Sequence, residues 1–319
     1  MHTVSFALAA TDGVELFVYG WLPLGQPKAV VQIVHGLSEH AGRYTRLAEA
    51  LTASGYAVYA CDLRGHGRTA RKPEDLGLFA EHDGWAKCID DVWQLNRHIA
   101  TDHPGLPIVL LGHSMGSTLA EQFLSEQNTG KESASQYGDA LAGVVLSGAN
   151  GKPTALAAMG RLIARIERWR LGPRGHSSLI LALTFKAFNK QFAPARTDFD
   201  WLSRDPSEVD QYVADPLCGF PATIQLWIDL LDAWNNVSRP SRQTRIPKTL
   251  PIYVIAGGRD PVSANTKTLA RMLSAYRAAG LKQVQHRFYP EARHELFNET
   301  NRDDVTHDLI SWLDSVLWP

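Results

Sequence analysis

The residues best placed to do chemistry lie between 112 and 116, where Ser114 stands in a G-x-S-x-G pattern. A strand-like apolar run precedes the pattern and a helical pattern follows it. A sharp strand-to-helix turn of this kind holds a serine in a strained backbone conformation, with its hydroxyl exposed as a nucleophile. Gly112 and Gly116 fit this interpretation because a Cβ at either position would collide within so tight a turn. We therefore predict that Ser114 is a nucleophile.

A serine nucleophile needs a base that takes its proton, and the base needs a third group that orients it. In proteins with this turn, the acid and then the histidine follow the serine along the chain. Asp260 lies in a glycine-rich loop after an apolar run, so we predict that it is the acid; capping of the next helix is the alternative. His286 falls within a predicted strand and His307 within a predicted helix, which favours His294 as the base. Glu295 is a weaker candidate acid, because adjacent side chains usually diverge.

A tetrahedral intermediate also needs two N–H donors that are already in position. The backbone N–H of Met115, directly after the serine, is the first predicted donor. The N–H of Leu37 is the second, because Leu37 follows a strand and a His-Gly pair that permits close backbone approach. We interpret His35, Glu39 and His40 as side chains that brace this loop.

Strand-like and helical patterns alternate along most of the chain, which is typical of a doubly wound α/β sheet. The pattern predicts about eight mostly parallel strands with helices on both faces, the first two strands forming an antiparallel hairpin around Asp12 and Gly13. Predicted strands cover 4–8, 15–21, 29–34, 57–61, 108–111, 142–146, 252–255 and 283–289. Predicted helices cover 44–53, 85–101, 115–127, 265–279 and 302–317.

One long stretch, from about residue 152 to residue 245, has helical patterns and no convincing strand. Its place between two predicted core strands indicates an inserted helical cap, with 238–242 as the exit linker. We therefore expect three parts: residues 1–150 as the first part of the core, 151–245 as the cap, and 246–319 as the second part of the core.

Composition excludes several classes of protein. The 319 residues carry 32 Lys+Arg against 33 Asp+Glu, and this near-neutral balance argues against a nucleic-acid partner. Three widely spaced cysteines form no CxxC pair, so no metal site is predicted, and the low, odd count favours a reducing compartment. No apolar run approaches the roughly 18 residues that span a bilayer. The N-terminus is interpreted as strands rather than as a signal peptide, and we expect a cytoplasmic protein.

Five segments in this order resemble the monoacylglycerol lipase and lysophospholipase group of the α/β-hydrolase superfamily. They are 35–40, 62–67, 112–116, 257–262 and 292–295. The resemblance runs from about Glu15 to the C-terminus and is weakest in the cap. It implies the α/β-hydrolase fold, a triad of Ser114, Asp260 and His294, an oxyanion hole at Leu37 and Met115, and no cofactor. It also implies a small-molecule acyl ester or lipid as substrate. One departure is Ser117, which stands where many members carry another glycine.

The cap carries apolar stripes at helical spacing that could form a core or line an acyl pocket. Met159, Ile163, Leu181 and Phe185 are the candidate substrate-binding residues. Residues 153–190 hold seven Lys/Arg and one acidic residue, Glu167. This basic segment is either a solvated face or a surface that contacts anionic lipid transiently. The sequence does not predict an oligomeric state.

Three functions remain open at this point. The first is a lipase acting on monoacylglycerols or lysophospholipids through an acyl-enzyme. The second is a short-chain esterase, thioesterase or aminopeptidase on soluble substrates; a peptidase would need acidic side chains in the cap. The third is a non-catalytic binding module, which an intact triad argues against. Candidate acidic residues for a peptidase are Asp198, Asp200, Asp205, Glu208 and Asp210.

Overall fold

A computed structural model describes residues 1–126 and 141–318. In these residues eight strands form one sheet in the order β1-β2-β4-β3-β5-β6-β7-β8. The strands are β1 (His2–Ala9), β2 (Glu15–Leu22), β3 (Ala29–Val34), β4 (Tyr56–Cys61), β5 (Ile108–His113), β6 (Leu141–Ser147), β7 (Ile252–Gly257) and β8 (Val284–Tyr289).

Helices connect most of the strands, as predicted. They are α1 (Thr45–Ala53), α2 (Gly84–Asp102), α3 (Met115–Glu126), α4 (Ala155–Leu171), α5 (Ser178–Leu183), α6 (Phe185–Asn189), α7 (Pro206–Ala214), α8 (Ile224–Val237), α9 (Pro240–Gln243), α10 (Lys267–Ala278) and α11 (Arg302–Leu317). The prediction of a helix over 115–127 extends to Gln127, which lies outside the described residues.

The sheet is mostly parallel, and the predicted mixed edge is confirmed. β1 pairs antiparallel with β2, and β2 pairs antiparallel with β4. The turn between β1 and β2 contains Gly13, whose φ of 84° lies in the region that glycine tolerates best. The strands from β4 onward in the sheet order all pair in parallel, from β4 to β8.

Apolar residues alternate between the two faces of the central strands, so each face builds its own core. Val30 and Val34 of β3 pack in the core that includes α2 and α3, while Val31 and Ile33 pack in the core that includes α1 and α11. Every residue of β3, β4, β5 and β7 is buried. Burial on both faces explains why these strands appear in the sequence as continuous apolar runs.

The segment between β6 and β7 is helical, and in its described residues it contains α4 to α9 and no strand. This confirms the predicted helical cap. α8 belongs to both parts, because its Leu226 and Leu230 are buried in the core beside α2 and α3, whereas its Ile228 packs against α4 and α5. The predicted exit linker over 238–242 is not extended chain, since α9 begins within it.

The apolar stripe of α4 was predicted to form either a core or a pocket wall, and it divides between two faces. Ile163 packs against a small core with α5 and α8, whereas other large side chains of the stripe face outward. Leu162 is 61% exposed and Trp169 is 89% exposed. The reason is the small inner face of α4, where Ala157 and Ala164 are buried. Small residues let the helix approach α8 closely, and the outer face of α4 carries Leu162, Ile166 and Trp169.

None of the helices in residues 1–126 and 141–318 combines the length and the hydrophobicity that crossing a membrane requires.

Candidate active site

Ser114 lies at the junction of β5 and α3, between the last residue of the strand and the first of the helix. Its φ is 53°, in the left-handed region that side chains other than glycine rarely adopt. Backbone bonds hold it there: its N–H donates to the Ser147 carbonyl at 2.9 Å, and its carbonyl accepts from the Ser117 N–H at 2.9 Å. The Ser117 hydroxyl also donates to the Ser114 carbonyl at 2.6 Å. The departure from glycine at 117 therefore supplies one more bond to the turn.

The two flanking glycines are required for different contacts. A Cβ on Gly112 would overlap the backbone of Gly116, on the other side of the same turn. A Cβ on Gly116 would instead overlap the carbonyl oxygens of Val34 and His35, at the end of β3. From the sequence, both collisions were expected within the turn itself. The collision at Gly116 instead involves the neighbouring strand β3, which lies against the start of α3.

Asp260 follows β7 and is fully buried. Its Oδ2 lies 3.0 Å from His294 Nδ1, and its Oδ1 accepts from the Val262 N–H at 2.9 Å. The alternative role of helix cap does not hold, because α10 begins at Lys267 with Thr266 as its N-cap. The structure therefore brings the predicted acid and base together.

His294 lies in the loop after β8 and is 2% exposed. Burial lowers the pKa of this imidazole, but the charge of Asp260 and its hydrogen bond outweigh burial, with help from Glu295 and Glu39, so the pKa is raised from its usual 6.5. Because Nδ1 faces Asp260, Nε2 is the nitrogen available to a serine. Among the described residues no hydrogen bond joins Ser114 to His294, a contact that often tightens only with substrate.

The predicted oxyanion donors lie on the wall of one cavity together with Ser114 and His294. In the described chain, neither the N–H of Leu37 nor that of Met115 donates to another backbone or side-chain acceptor. A Cβ on Gly36, next to Leu37, would lie 3.1 Å from Ser114 Cβ. The loop that carries Leu37 therefore lies close to the Ser114 side chain.

His35 braces this loop as predicted. Its Nδ1 lies 2.8 Å from the Gly36 carbonyl, and its Nε2 accepts from the Leu63 N–H at 2.9 Å. Burial lowers its pKa to about 3, so the ring is neutral and has a defined tautomer.

Glu295, the rival acid, is bound elsewhere. Both of its carboxylate oxygens accept from Arg43, at 2.6 and 2.7 Å. Burial raises the pKa of this carboxyl, yet the charge and hydrogen bonds of Arg43 lower it to about 2. Arg43 was not among the residues predicted from the sequence. It follows Glu39 by four residues, however, which is a spacing at which opposite charges meet on a helical turn.

Trp201 is a second residue that the sequence analysis missed. Its ring centroid lies 5.0 Å from that of His294, and the Glu295 N–H donates to the neighbouring Leu202 carbonyl at 2.8 Å. This segment of the cap therefore packs directly on the loop that carries the predicted base. No spacing rule in the sequence links a residue of the cap to one about ninety positions later.

The shared cavity has a volume of about 290 Å³ and a mostly apolar wall. Met159, Ile163 and Phe185, three of the four candidate substrate residues, lie on this wall. Leu181 does not, because the face of α5 that points to the cavity carries Ile180 and Leu183. The remaining wall is contributed largely by aromatic and aliphatic side chains of the cap, including Phe188, Trp201, Trp227, Leu230, Leu231 and Trp234.

Among the described residues, one group of side chains has the types and spacing to hold a metal ion: His40, Asp215 and Cys218, whose ligand atoms lie within 4.8 Å of one another. His40 Nε2 already contacts Asp215 Oδ2 at 2.9 Å. His40 belongs to the loop after β3, and none of the three residues lines the cavity.

The acidic residues considered for a peptidase lie off the cavity wall. Four of the five have partners: Asp200 with Thr197, Asp205 with Arg302, Glu208 with Arg46, and Asp210 with Arg196. On the wall itself the carboxylates are Glu39 and Glu295, and both bind Arg43.

Residues 25–301 match the Hydrolase_4 family, described as serine aminopeptidase, S33. The chain belongs to this family. It is 31% identical to a monoacylglycerol lipase of Mycolicibacterium smegmatis, over 98% of this chain and 97% of the relative. It is also 30% identical to a monoglyceride lipase of Homo sapiens, over 92% of this chain and 88% of the relative.

A solved carboxyl esterase from Bacillus coagulans, in complex with glycerol, superposes with a TM-score of 0.88 at 24% identity, covering 99% of both chains. This likeness confirms the α/β-hydrolase fold. The family and the aligned relatives make this chain an ester-hydrolysing serine hydrolase.

The geometry of the turn predicts that Gly116→Ala is severely damaging. The new Cβ must push β3 and α3 apart, and overpacking of this kind costs about 1–3 kcal/mol of the free energy of unfolding. A displacement of the serine by about 1 Å lowers the rate roughly 100-fold. Thermal unfolding and ester hydrolysis would measure both effects.

Gly25→Ala is the matched control, because a Cβ there meets no atom within 4 Å. It should change neither stability nor rate. Full stability and activity in Gly116→Ala would contradict the steric account of the turn.

Proposed function

We propose that the protein is a monoacylglycerol lipase that works through an acyl-enzyme on Ser114. The observation that carries this proposal is that His294, held by the buried Asp260, lies on the wall of the same apolar cavity as Ser114. The names of the relatives that align over nearly the whole chain support the substrate class.

In the proposed reaction, Ser114 Oγ attacks the ester carbonyl carbon while His294 Nε2 takes the hydroxyl proton. The carbonyl oxygen becomes an oxyanion that accepts hydrogen bonds from the Leu37 and Met115 N–H groups. Collapse of this intermediate breaks the bond to the alcohol, which takes the proton from His294. Water then attacks the acyl carbon while His294, oriented by Asp260, takes a proton from the water. Collapse of the second intermediate breaks the bond between the acyl carbon and Ser114 Oγ, His294 returns the proton to Ser114, and the carboxylic acid leaves.

For the acyl chain we propose the apolar part of the cavity. Met159, Ile163 and Phe185 remain candidates, and Ile180 and Leu183 replace Leu181 because they lie on the wall. An apolar cavity with few polar groups favours a hydrocarbon chain over a peptide.

The family description names an aminopeptidase, whereas the aligned relatives are named lipases. The wall of the cavity supports the lipase. A peptidase of this kind needs a free carboxylate for the α-amino group of its substrate, and the two carboxylates on the wall are both bound to Arg43.

We also propose that the outer face of α4 contacts lipid surfaces transiently. Leu162, Ile166 and Trp169 are each more than half exposed there. The basic residues are less available, since Arg161 and Arg165 bind Asp232, Arg170 binds Glu167 and Arg174 binds Glu81. The contact we propose is therefore mainly apolar rather than electrostatic.

We further propose a division into a core of residues 1–150 and 246–319 and a cap of residues 151–245, with α8 packing against both parts. We also propose a cytoplasmic location, which the three buried free thiols support and which cell fractionation would test.

The lipase proposal predicts that hydrolysis rates rise with acyl length across a series of monoacylglycerols and p-nitrophenyl esters, because longer chains bury more apolar area. Ser114→Ala should lower kcat on the order of 10⁶-fold for every substrate. A maximum at acetate or butyrate would favour the short-chain esterase. Equal rates for Ser114→Ala and the unchanged protein would refute the triad.

The membrane proposal predicts sedimentation of the protein with zwitterionic phosphatidylcholine vesicles, because the driving surface is apolar. Trp169→Ser together with Leu162→Ser should weaken this binding at least several-fold. Arg165→Gln is the control and should bind as before, since Arg165 is paired with Asp232. Binding restricted to anionic vesicles and lost in Arg165→Gln would contradict the proposal.

A further inference from the structure

We propose that Arg43 is a positioning residue that fixes the oxyanion loop against the loop of the base, by binding Glu39 on one side and Glu295 on the other. This inference rests on the proposed function and deepens it: it assigns to Arg43, and to the two buried carboxylates that it binds, control over the geometry and the basicity of the site.

The first link runs from Arg43 to the oxyanion loop. Arg43 Nη1 donates to Glu39 Oε2 at 2.9 Å, and the other oxygen, Oε1, accepts from the Gly36 N–H at 2.6 Å. The Tyr44 hydroxyl donates to the same Oε1 at 3.0 Å. Gly36 precedes Leu37, whose N–H is a proposed donor to the oxyanion. A shift of Glu39 therefore moves that donor relative to Ser114.

The second link runs from Arg43 to the loop of the base. Its Nη1 and Nη2 donate to Glu295 Oε1 and Oε2 at 2.6 and 2.7 Å, a bidentate pair that fixes orientation as well as distance. Glu295 directly follows His294. Asn298 Nδ2 donates to Glu295 Oε2 at 2.9 Å and holds the carboxylate from its other side.

The environment makes this connection rigid and sensitive to charge. The side chains of Arg43, Glu39 and Glu295 are 12%, 5% and 7% exposed. The guanidinium also lies over the ring of Tyr212, with Cζ 4.8 Å from its centroid. Removal of one partner from such a buried group leaves an uncompensated charge, which water screens poorly.

This uncompensated charge would change the pKa of His294. The groups that act on this imidazole are Asp260 after β7, Glu295 on its own loop, Glu39 after β3, and His113 at the end of β5. The three carboxylates raise the pKa of His294. Burial lowers the pKa of His113 to about 4, so His113 is neutral in the working range and contributes little charge.

Removal of the Arg43 cation should change the pH dependence of activity in a defined direction. His294 must be neutral to act as base, so activity falls as the pH drops through its pKa. Without the Arg43 cation, Glu39 and Glu295 stabilise the imidazolium more strongly, and the pKa of His294 rises. The acid limb of the pH profile should then move to higher pH. A residue that only supported the fold would lower the amount of active protein without moving this limb.

The experiment measures kcat and KM for a soluble p-nitrophenyl ester, and kcat/KM against pH, in the full-length chain. Arg43→Met should lower kcat about 100-fold, the usual cost of a misplaced site, with KM changed less than about threefold. Its acid limb should move up in pH. Arg43→Lys keeps the charge but loses the bidentate geometry, so it should lower kcat and leave the limb near its original place.

The double variant Arg43→Met with Glu295→Gln removes one negative charge with the positive one. It should return the acid limb toward that of the unchanged protein without restoring kcat, because the link between the loops is still broken.

Arg64→Met is the matched control. Arg64 is a more deeply buried arginine that binds Asp91 and Asp12 but lies off the cavity wall. It should lose thermal stability while keeping the kcat of its folded fraction and its acid limb.

Unchanged kcat in Arg43→Met, or a lowered kcat with an unmoved acid limb, would overturn the inference. If Arg43→Met does not fold, the test rests on Arg43→Lys, where unchanged kcat would overturn it. Failure of the proposed function is distinguishable, since the unchanged protein would then show no more ester hydrolysis than Ser114→Ala.

Discussion

The backbone of Ser114 is held at a φ of 53°, and much of the surrounding structure serves to keep it there. Such a conformation costs on the order of 1–3 kcal/mol and persists only where neighbouring contacts determine it. Gly112 and Gly116 remove the Cβ atoms that would prevent it, and β5 is buried along its whole length. The same close approach brings the end of β3, and with it the amide of Leu37, against the start of α3. The turn thus positions the nucleophile and the oxyanion loop at once.

Burial acts in the same direction on every histidine at the centre of the molecule, but in His294 a neighbouring carboxylate outweighs it. Burial lowers the pKa of His35 and His66 to about 3 and that of His113 to about 4, so these rings are neutral and serve as fixed hydrogen-bonding groups. His294 is equally buried, yet the carboxylate of Asp260 reverses the effect and its pKa is raised. One imidazole of the group is therefore kept basic enough to take a proton. Arg43 weakens the effect of the two other carboxylates nearby, because its positive charge is paired with both.

The sequence predicted what depends on local pattern. Continuous apolar runs gave the parallel strands, because burial on both faces leaves no alternation, and the position of Asp260 and His294 after their strands followed from chain order. The local pattern did not predict contacts between segments that are distant in the sequence. The pairing of Arg43 with Glu295 and the packing of Trp201 on His294 depend on how the cap lies on the core. The outward face of α4 was also missed, because a stripe of large apolar residues looks the same in a core helix. Leu181 was placed on the cavity for a similar reason: a helical pattern does not specify which of two adjacent faces points inward.

The most direct test of the account is the site of covalent labelling by a fluorophosphonate, followed by peptide mass spectrometry of the folded protein. The account predicts one phosphonyl group per chain, on the peptide that contains Ser114, with labelling lost in Ser114→Ala and strongly slowed in His294→Gln. Labelling of another residue, or no labelling of a folded chain, would contradict the claim that this turn, this cavity and the His294–Asp260 pair form the active site.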